Sequence, residues 1–201
     1  MPTRPVGPVA LRSGVEIADP VDVVRGYLEA WRFEPGDLSA SFAESDLRLA
    51  NRGGARISAA EIASVLERRR AIQRALREIP AHASLAVGTR SVPWLALTSL
   101  FDAFAGIRGV GVSKTTKALH PKRPALIPML DSVVQRYLHD DDLGADAPFG
   151  VRAVELARGY KRDLDRNRAC LAAVRRELAR QGHEISEVRI LDLLIWSVEA
   201  A

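Results

Sequence analysis

Cysteine is nearly absent from this chain, with Cys170 the single one among 201 residues. A disulfide scaffold is thereby excluded, and a reducing compartment is the natural setting. Aromatic residues amount to 5%, too few for the repeated stacking platforms that hold single-stranded nucleic acids. No run approaches 18 consecutive apolar residues, and the opening MPTRPVGPVALRSG has no apolar stretch of signal-peptide length. No membrane span is expected, and the cytoplasm is the expected location. His82, His120, His139 and His183 stand apart with no metal-ligand spacing, and no GxxxxGK phosphate loop occurs. Neither a metal site nor a nucleotide-triphosphate site is expected from these features. Period-two alternation and internal repeats are also missing, which points away from sheets and solenoids and towards an all-α fold.

What is present suits one soluble helical domain. Hydrophobic residues make up 47% of the chain, and its net charge of +4 gives a pI near 9.6, compatible with a polyanion partner. Residues 1–18 contain proline and glycine and read as an irregular segment, with the helical domain spanning 19–201. Asp19-Pro20 begins a helix with Val21, Val24, Leu28 and Trp31 on one face, ending before Pro35-Gly36. A short helix closed by Asn51-Arg52-Gly53-Gly54 turns Phe42, Leu47 and Leu49 inward. Ser58 and Glu61 form a capping box for a long helix to Glu78 that carries Arg68, Arg69, Arg70, Arg74 and Arg77. Those arginines read as a solvated basic face, or as a contact to phosphates if the helix borders a cleft. Later come a helix from Trp94, a long one from about Phe149 to Gln181 containing Cys170 as a small core residue, and a buried one from Ser186 to Glu199. In the last, Arg189 and Asp192 are placed to pair.

The stretch Ile107 to Leu138, IRGVGVSKTTKALHPKRPALIPMLDSVVQRYL, concentrates the chemistry-capable residues. The helical pattern before it stops at Gly106, Gly109 and Gly111 permit a tight turn, and Ser113 can cap the following KTTKAL. A turn of this kind aims free N–H groups outward at a helix N-terminus, where an anionic oxygen is favoured, and Arg108, Lys114 and Lys117 add charge. Six basic residues fall in this stretch against one acid, Asp131, which sits at or beside a helix N-cap. The aspartates 140, 141 and 142 that follow lack the spacing of a calcium loop and read as a solvated acidic loop.

The motif Gly109-Val110-Gly111 with Ser113, Thr115 and Thr116, then Leu130-Asp131 with Val134, Arg136 and Leu138, resembles the signature of the helix-hairpin-helix DNA glycosylases over residues 94–138. Asp131 follows Gly109 by 22 residues, as the catalytic aspartate follows the hairpin in that superfamily. The wording TKALHPKRPALIPMLDSVV also resembles an uncharacterised actinobacterial family, a domain of unknown function. The first resemblance implies a bundle of two small helical lobes around the hairpin core and duplex DNA as partner. It implies backbone binding by Arg108, Gly109, Gly111, Ser113, Lys114, Lys117, Lys122 and Arg123, with a monovalent cation at the hairpin and no other cofactor. The flipped base would be removed by a monofunctional DNA N-glycosylase, a base-excision hydrolase, with Asp131 stabilising the positive charge that develops on the sugar.

Departures from the family pattern are specific. Ser113 occupies the position of the lysine found in strand-cutting members, and one cysteine cannot hold a four-cysteine cluster. Ser132 and Val133 replace the residues that commonly follow the aspartate. The alternatives are a non-catalytic DNA-binding or interaction module with Asp131 as a helix cap, a GVG turn serving as a structural corner, and recognition of some other anion. Oligomeric state is not legible.

Overall fold

In a computed structural model describing residues 6–30 and 36–200, ten α-helices surround one apolar core and a two-stranded ribbon lies at the amino end. The helices are α1 (Pro20–Ala30), α2 (Glu44–Arg52), α3 (Ala59–Glu67), α4 (Arg69–Arg77), α5 (Trp94–Asp102), α6 (Val112–Leu119), α7 (Ser132–Tyr137), α8 (Phe149–Arg166), α9 (Arg168–Arg180) and α10 (Glu187–Glu199). The all-α expectation holds. No described helix is long and apolar enough to cross a membrane. Trp31 and the helix stop expected at Pro35 lie outside the described residues.

The irregular opening segment is partly ordered. Val9–Ala10 (β1) pairs antiparallel with Glu16–Ile17 (β2), Val9 opposite Ile17, and both inward side chains are buried. This small ribbon corrects the expectation of no strand.

Two long helices expected from periodicity are each broken. Between α3 and α4, Arg68 leaves helical geometry at φ −89° and ψ 2°. A straight helix would carry the apolar seam 62, 65, 69, 72, 76, and its middle position is Arg69, which the break leaves exposed. Between α8 and α9 the break is Asn167, on the seam 160, 164, 167, 171, 174. Its amide is instead spent on the ribbon: Oδ1 accepts from Ala10 N at 2.9 Å, and Nδ2 donates to Ala10 O at 2.9 Å. In each case the break spares a polar side chain from burial without a partner.

Around the core, α10 is buried on most sides and packs against α1, α7 and α9, while α5 packs against α8 and α4. Close approach of α5 and α8 depends on Gly150, where a Cβ would meet Thr98 O and the Asp102 carboxylate; Asp102 Oδ1 accepts from Gly150 N at 2.8 Å. Phe42 and Phe104 meet edge to face, 6.0 Å between ring centroids, joining the loop before α2 to the end of α5.

The acidic loop is a clamp and not a solvated segment. Asp141 pairs with Arg12 at 2.6 Å and with Arg162, and Asp142 takes Arg152 at 2.6 Å, so that of these three aspartates Asp140 is the broadly exposed one. Arg12 also donates through Nε to Asp163 at 2.7 Å and through Nη2 to Gly159 O, fastening the ribbon onto α8. Asp163 is fully buried, and losing Arg12 would leave it only the half-exposed Arg166, 3.0 Å away. Arg12→Ala should lower unfolding free energy by about 2–4 kcal/mol in urea titration. Arg162→Ala, at the exposed side of the Asp141 carboxylate, should cost less than about 1 kcal/mol.

Candidate functional site

The chain enters the hairpin through Gly106 and Gly109, both in the left-handed region at φ +74° and +80°. Gly109 is doubly constrained, because a Cβ there would also collide with the Glu61 carboxylate of α3. Gly111 is different. Its backbone is extended at φ −89° and ψ −174°, it is exposed, and nothing lies within 4 Å of where a Cβ would stand. Nothing within the protein itself therefore requires glycine at 111. Gly111 is also the N-cap of α6, two residues earlier than the expected Ser113, and no side chain caps this helix.

Of the basic residues expected here, Arg108 is exposed. Lys114 donates to both Glu61 oxygens, at 2.7 and 2.8 Å, and this contact holds the Glu61 carboxyl below its usual range, assisted by the Ser58 amide. Glu61 thus completes the expected capping box of α3 and lies against the hairpin at the same time. Lys117 reaches Gly54 O at 3.4 Å and stands 3.9 Å from Asp131. Ser113 is half-buried on the first turn of α6.

Lys122 and Arg123 face the interior, away from any phosphate. Lys122 is 1% exposed and pairs with Asp46 at 2.9 Å and Asp37 at 3.4 Å. Arg123 is 2% exposed, and its guanidinium is taken up by main-chain carbonyls of residues 38, 76, 79 and 122. Both sit in the turn after α6, and their charge is consumed in holding that turn.

Asp131 caps α7. Its Oδ1 accepts from Val133 N and Val134 N, each at 3.1 Å, and its Oδ2 accepts from Trp196 Nε1 at 3.0 Å. It is 5% exposed. The Trp196 partner on α10 supplies support for the aspartate that the neighbours Ser132 and Val133 do not, and 65 residues of separation hid it. An open concavity lined by Arg48, Asn51, Arg52 and Ile62 lies between α2 and α3 and does not include Asp131.

Behind Asp131 lies a buried polar cluster. The expected pair of Arg189 with Asp192 forms at 3.9 Å, and Met129 N donates to Asp192 Oδ2 at 3.3 Å. Burial pushes the Asp192 carboxyl up to about 7 against the opposing pull of Arg189. His120, one of the four isolated histidines, is buried, with Nδ1 2.6 Å from Ile127 O. Burial first, and then the Arg189 charge, bring it down to about 4. Tyr160, also buried here, donates to Val188 O at 2.6 Å. Among the described residues no cluster of His, Cys, Asp or Glu could hold a metal ion.

Compared with known proteins, residues 36–199 match a family described as a family of unknown function, DUF6308. No curated protein and no solved structure matches the chain.

The buried cluster has a readable pH signature. Asp192 contributes stability that is full below its unfolded value of 3.8 and is lost as pH rises to about 7, whereas His120 contributes stability that is full above 6.5 and is lost as pH falls to about 4. Between about pH 4 and 6.5 the two slopes oppose each other. Asp192→Asn should therefore unmask the histidine slope. In thermal melts across that window its Tm should fall on acidification more steeply than that of the unaltered protein, and parallel curves would refute the assignment.

Proposed function

Since the chain belongs to that family of unknown function, its activity has to be read from the site, and we propose that it is a helix-hairpin-helix module that grips the phosphate backbone of duplex DNA, with Asp131 a structural cap. The observation that carries this reading is Gly111. An exposed, uncapped helix N-terminus begins at a glycine whose own backbone and protein neighbours would accept a side chain. An approaching anion gives that glycine a reason, because its oxygen needs to come close to the first amides of α6. Arg108 and Ser113 border the same turn, and Lys117 flanks it one turn further along α6.

Asp131 supports the non-catalytic form of the proposal through its bonding. Three donors hold the carboxylate in its capping orientation and the group is 5% exposed, which favours a structural role. The glycosylase reading is the second proposal, favoured by the proximity of Lys117 on the hairpin helix to Asp131 Oδ2. In that reading Oδ2 would face the sugar with its second lone pair while Trp196 holds the first.

Gly111→Ala separates fold from recognition. It should leave the melting temperature unchanged, yet weaken duplex DNA binding about tenfold or more, since one charge-assisted hydrogen bond is worth about 1.5–3 kcal/mol. Gly109→Ala should by contrast destabilise the protein itself by about 1–3 kcal/mol through its left-handed backbone. Unchanged DNA affinity in Gly111→Ala, measured by fluorescence anisotropy, would sink the hairpin reading. Asp131→Asn keeps the cap and should bind DNA as before; loss of base release from a lesion-bearing duplex in that variant would instead favour the glycosylase.

A further inference from the structure

Arg68, Arg69, Arg70, Arg74 and Arg77 are all exposed, and none forms an ion pair among the described residues. The two long helices α8 and α9 treat arginine differently. On α8 and α9 every arginine except Arg176 is in an ion pair, with Asp141, Asp142, Glu155, Asp163, Asp165, Glu177 or Glu187 as partner. On α4 there is no acidic residue at all, and Glu78 at its end takes none of them.

The placement is directional. Ile72 and Leu76 bury one side of α4, and Arg70, Arg74 and Arg77, at steps of four and three, form a stripe on the opposite side. Three like charges on adjacent turns repel one another along roughly 10 Å of helix axis. The helix keeps them in that arrangement with no internal counter-charge, so the neutralising charge has to come from outside. We propose that this stripe is a second polyanion surface, separate from the hairpin, which lies along the sugar-phosphate backbone of duplex DNA.

The chemistry selects this partner. Guanidinium groups bind phosphate in a bidentate fork, and successive phosphates of one strand supply anions at a spacing that adjacent helix turns can meet. A lipid surface fits less well, because an interfacial helix presents large apolar side chains beside its cations. The exposed large apolar residues are Val15, Leu38, Val87, Leu95, Leu143 and Val151, none of them on α4. The stripe reads no base, so binding through it is independent of sequence and strongly salt-dependent.

The test compares two triple variants with the same change in net charge. Arg70→Gln/Arg74→Gln/Arg77→Gln removes the stripe, and Arg166→Gln/Arg175→Gln/Arg180→Gln removes equally exposed arginines that are ion-paired. Affinity for a 20-base-pair duplex is measured by anisotropy at several salt concentrations, with circular dichroism confirming helicity. The stripe variant should bind about tenfold or more weakly at low salt, and its slope of log K against log salt should shrink by about two to three, close to one for every phosphate that is no longer neutralised. The control should change by less than about threefold. Equal losses in the two variants would reduce the effect to net charge and overturn the proposal, as would no DNA binding by the unaltered protein at low salt. Gly111→Ala in the same assay reports on the hairpin alone. If that variant binds normally while the stripe variant does not, the hairpin reading fails and the stripe stands.

Discussion

The buried guanidinium of Arg123 is the tie on which the arrangement of helices depends. At the end of α4, Leu76 O accepts from Ile79 N at 3.2 Å, and no glycine turns the chain back to satisfy Ile79 O; Arg123 donates to both Leu76 O and Ile79 O. Its third contact, Leu38 O, draws in the segment ahead of α2. Lys122 adds Asp46 on α2 and Asp37. Two consecutive cations in the turn after α6 therefore fix α2, the end of α4 and the hairpin helix in one frame. A hydrophobic contact could bring these elements together, but it could not satisfy the carbonyls, and an unsatisfied buried carbonyl costs about 1–3 kcal/mol. Lys161 does the same work elsewhere, 2% exposed on α8 and donating to Leu85 O and Val87 O in the long connection before α5.

These ties explain which parts of the fold were legible in the sequence. Helix type, the Ser58–Glu61 capping box, the start at Pro20, the glycine-closed α2, the buried α10 and the Asp131 cap all rest on local rules, and local rules read directly from spacing. The two helix breaks were also written in the spacing, at the points where each seam carries Arg69 or Asn167, but the polar residue is only informative once its fate is known. Asn167 breaks the helix to reach Ala10, 157 residues away, and no window on the sequence joins those positions. The ribbon that receives it was hidden for the same reason, since strands of two residues are too short to show alternation.

Charge was the least legible property. A run such as His120-Pro121-Lys122-Arg123 looks like a solvated basic turn because burial of a cation is expensive, yet Lys122 and Arg123 are buried and their expense is offset by specific acceptors from α2, α4 and the loops. Asp141 and Asp142 repeat the lesson with opposite sign. The net charge of +4 says nothing of this partition. What the structure adds is the remainder: among the described residues, unpaired positive charge is concentrated on α4, with single exposed arginines at Arg56, Arg90, Arg108 and Arg176.

The GVG motif makes the distinction between architecture and recognition concrete within three residues. Gly109 is required twice over by the fold itself, through its positive φ and through the carboxylate of Glu61 pressed against it. Gly111 is required by neither. Pattern alone assigns both glycines one role, because a sequence records that a side chain is missing and not what would have struck it. Glu61 sharpens the contrast further. It lies against Gly109 and holds Lys114 in two hydrogen bonds, so the lysine's charge is already answered from within the protein. An incoming phosphate would meet the amides of α6, Arg108 and Ser113 first, and could engage Lys114 only by competing with a carboxylate that is itself tied into the cap of α3. Under the proposed function, recognition at this hairpin would lean on main-chain donors more than on its nearest lysine.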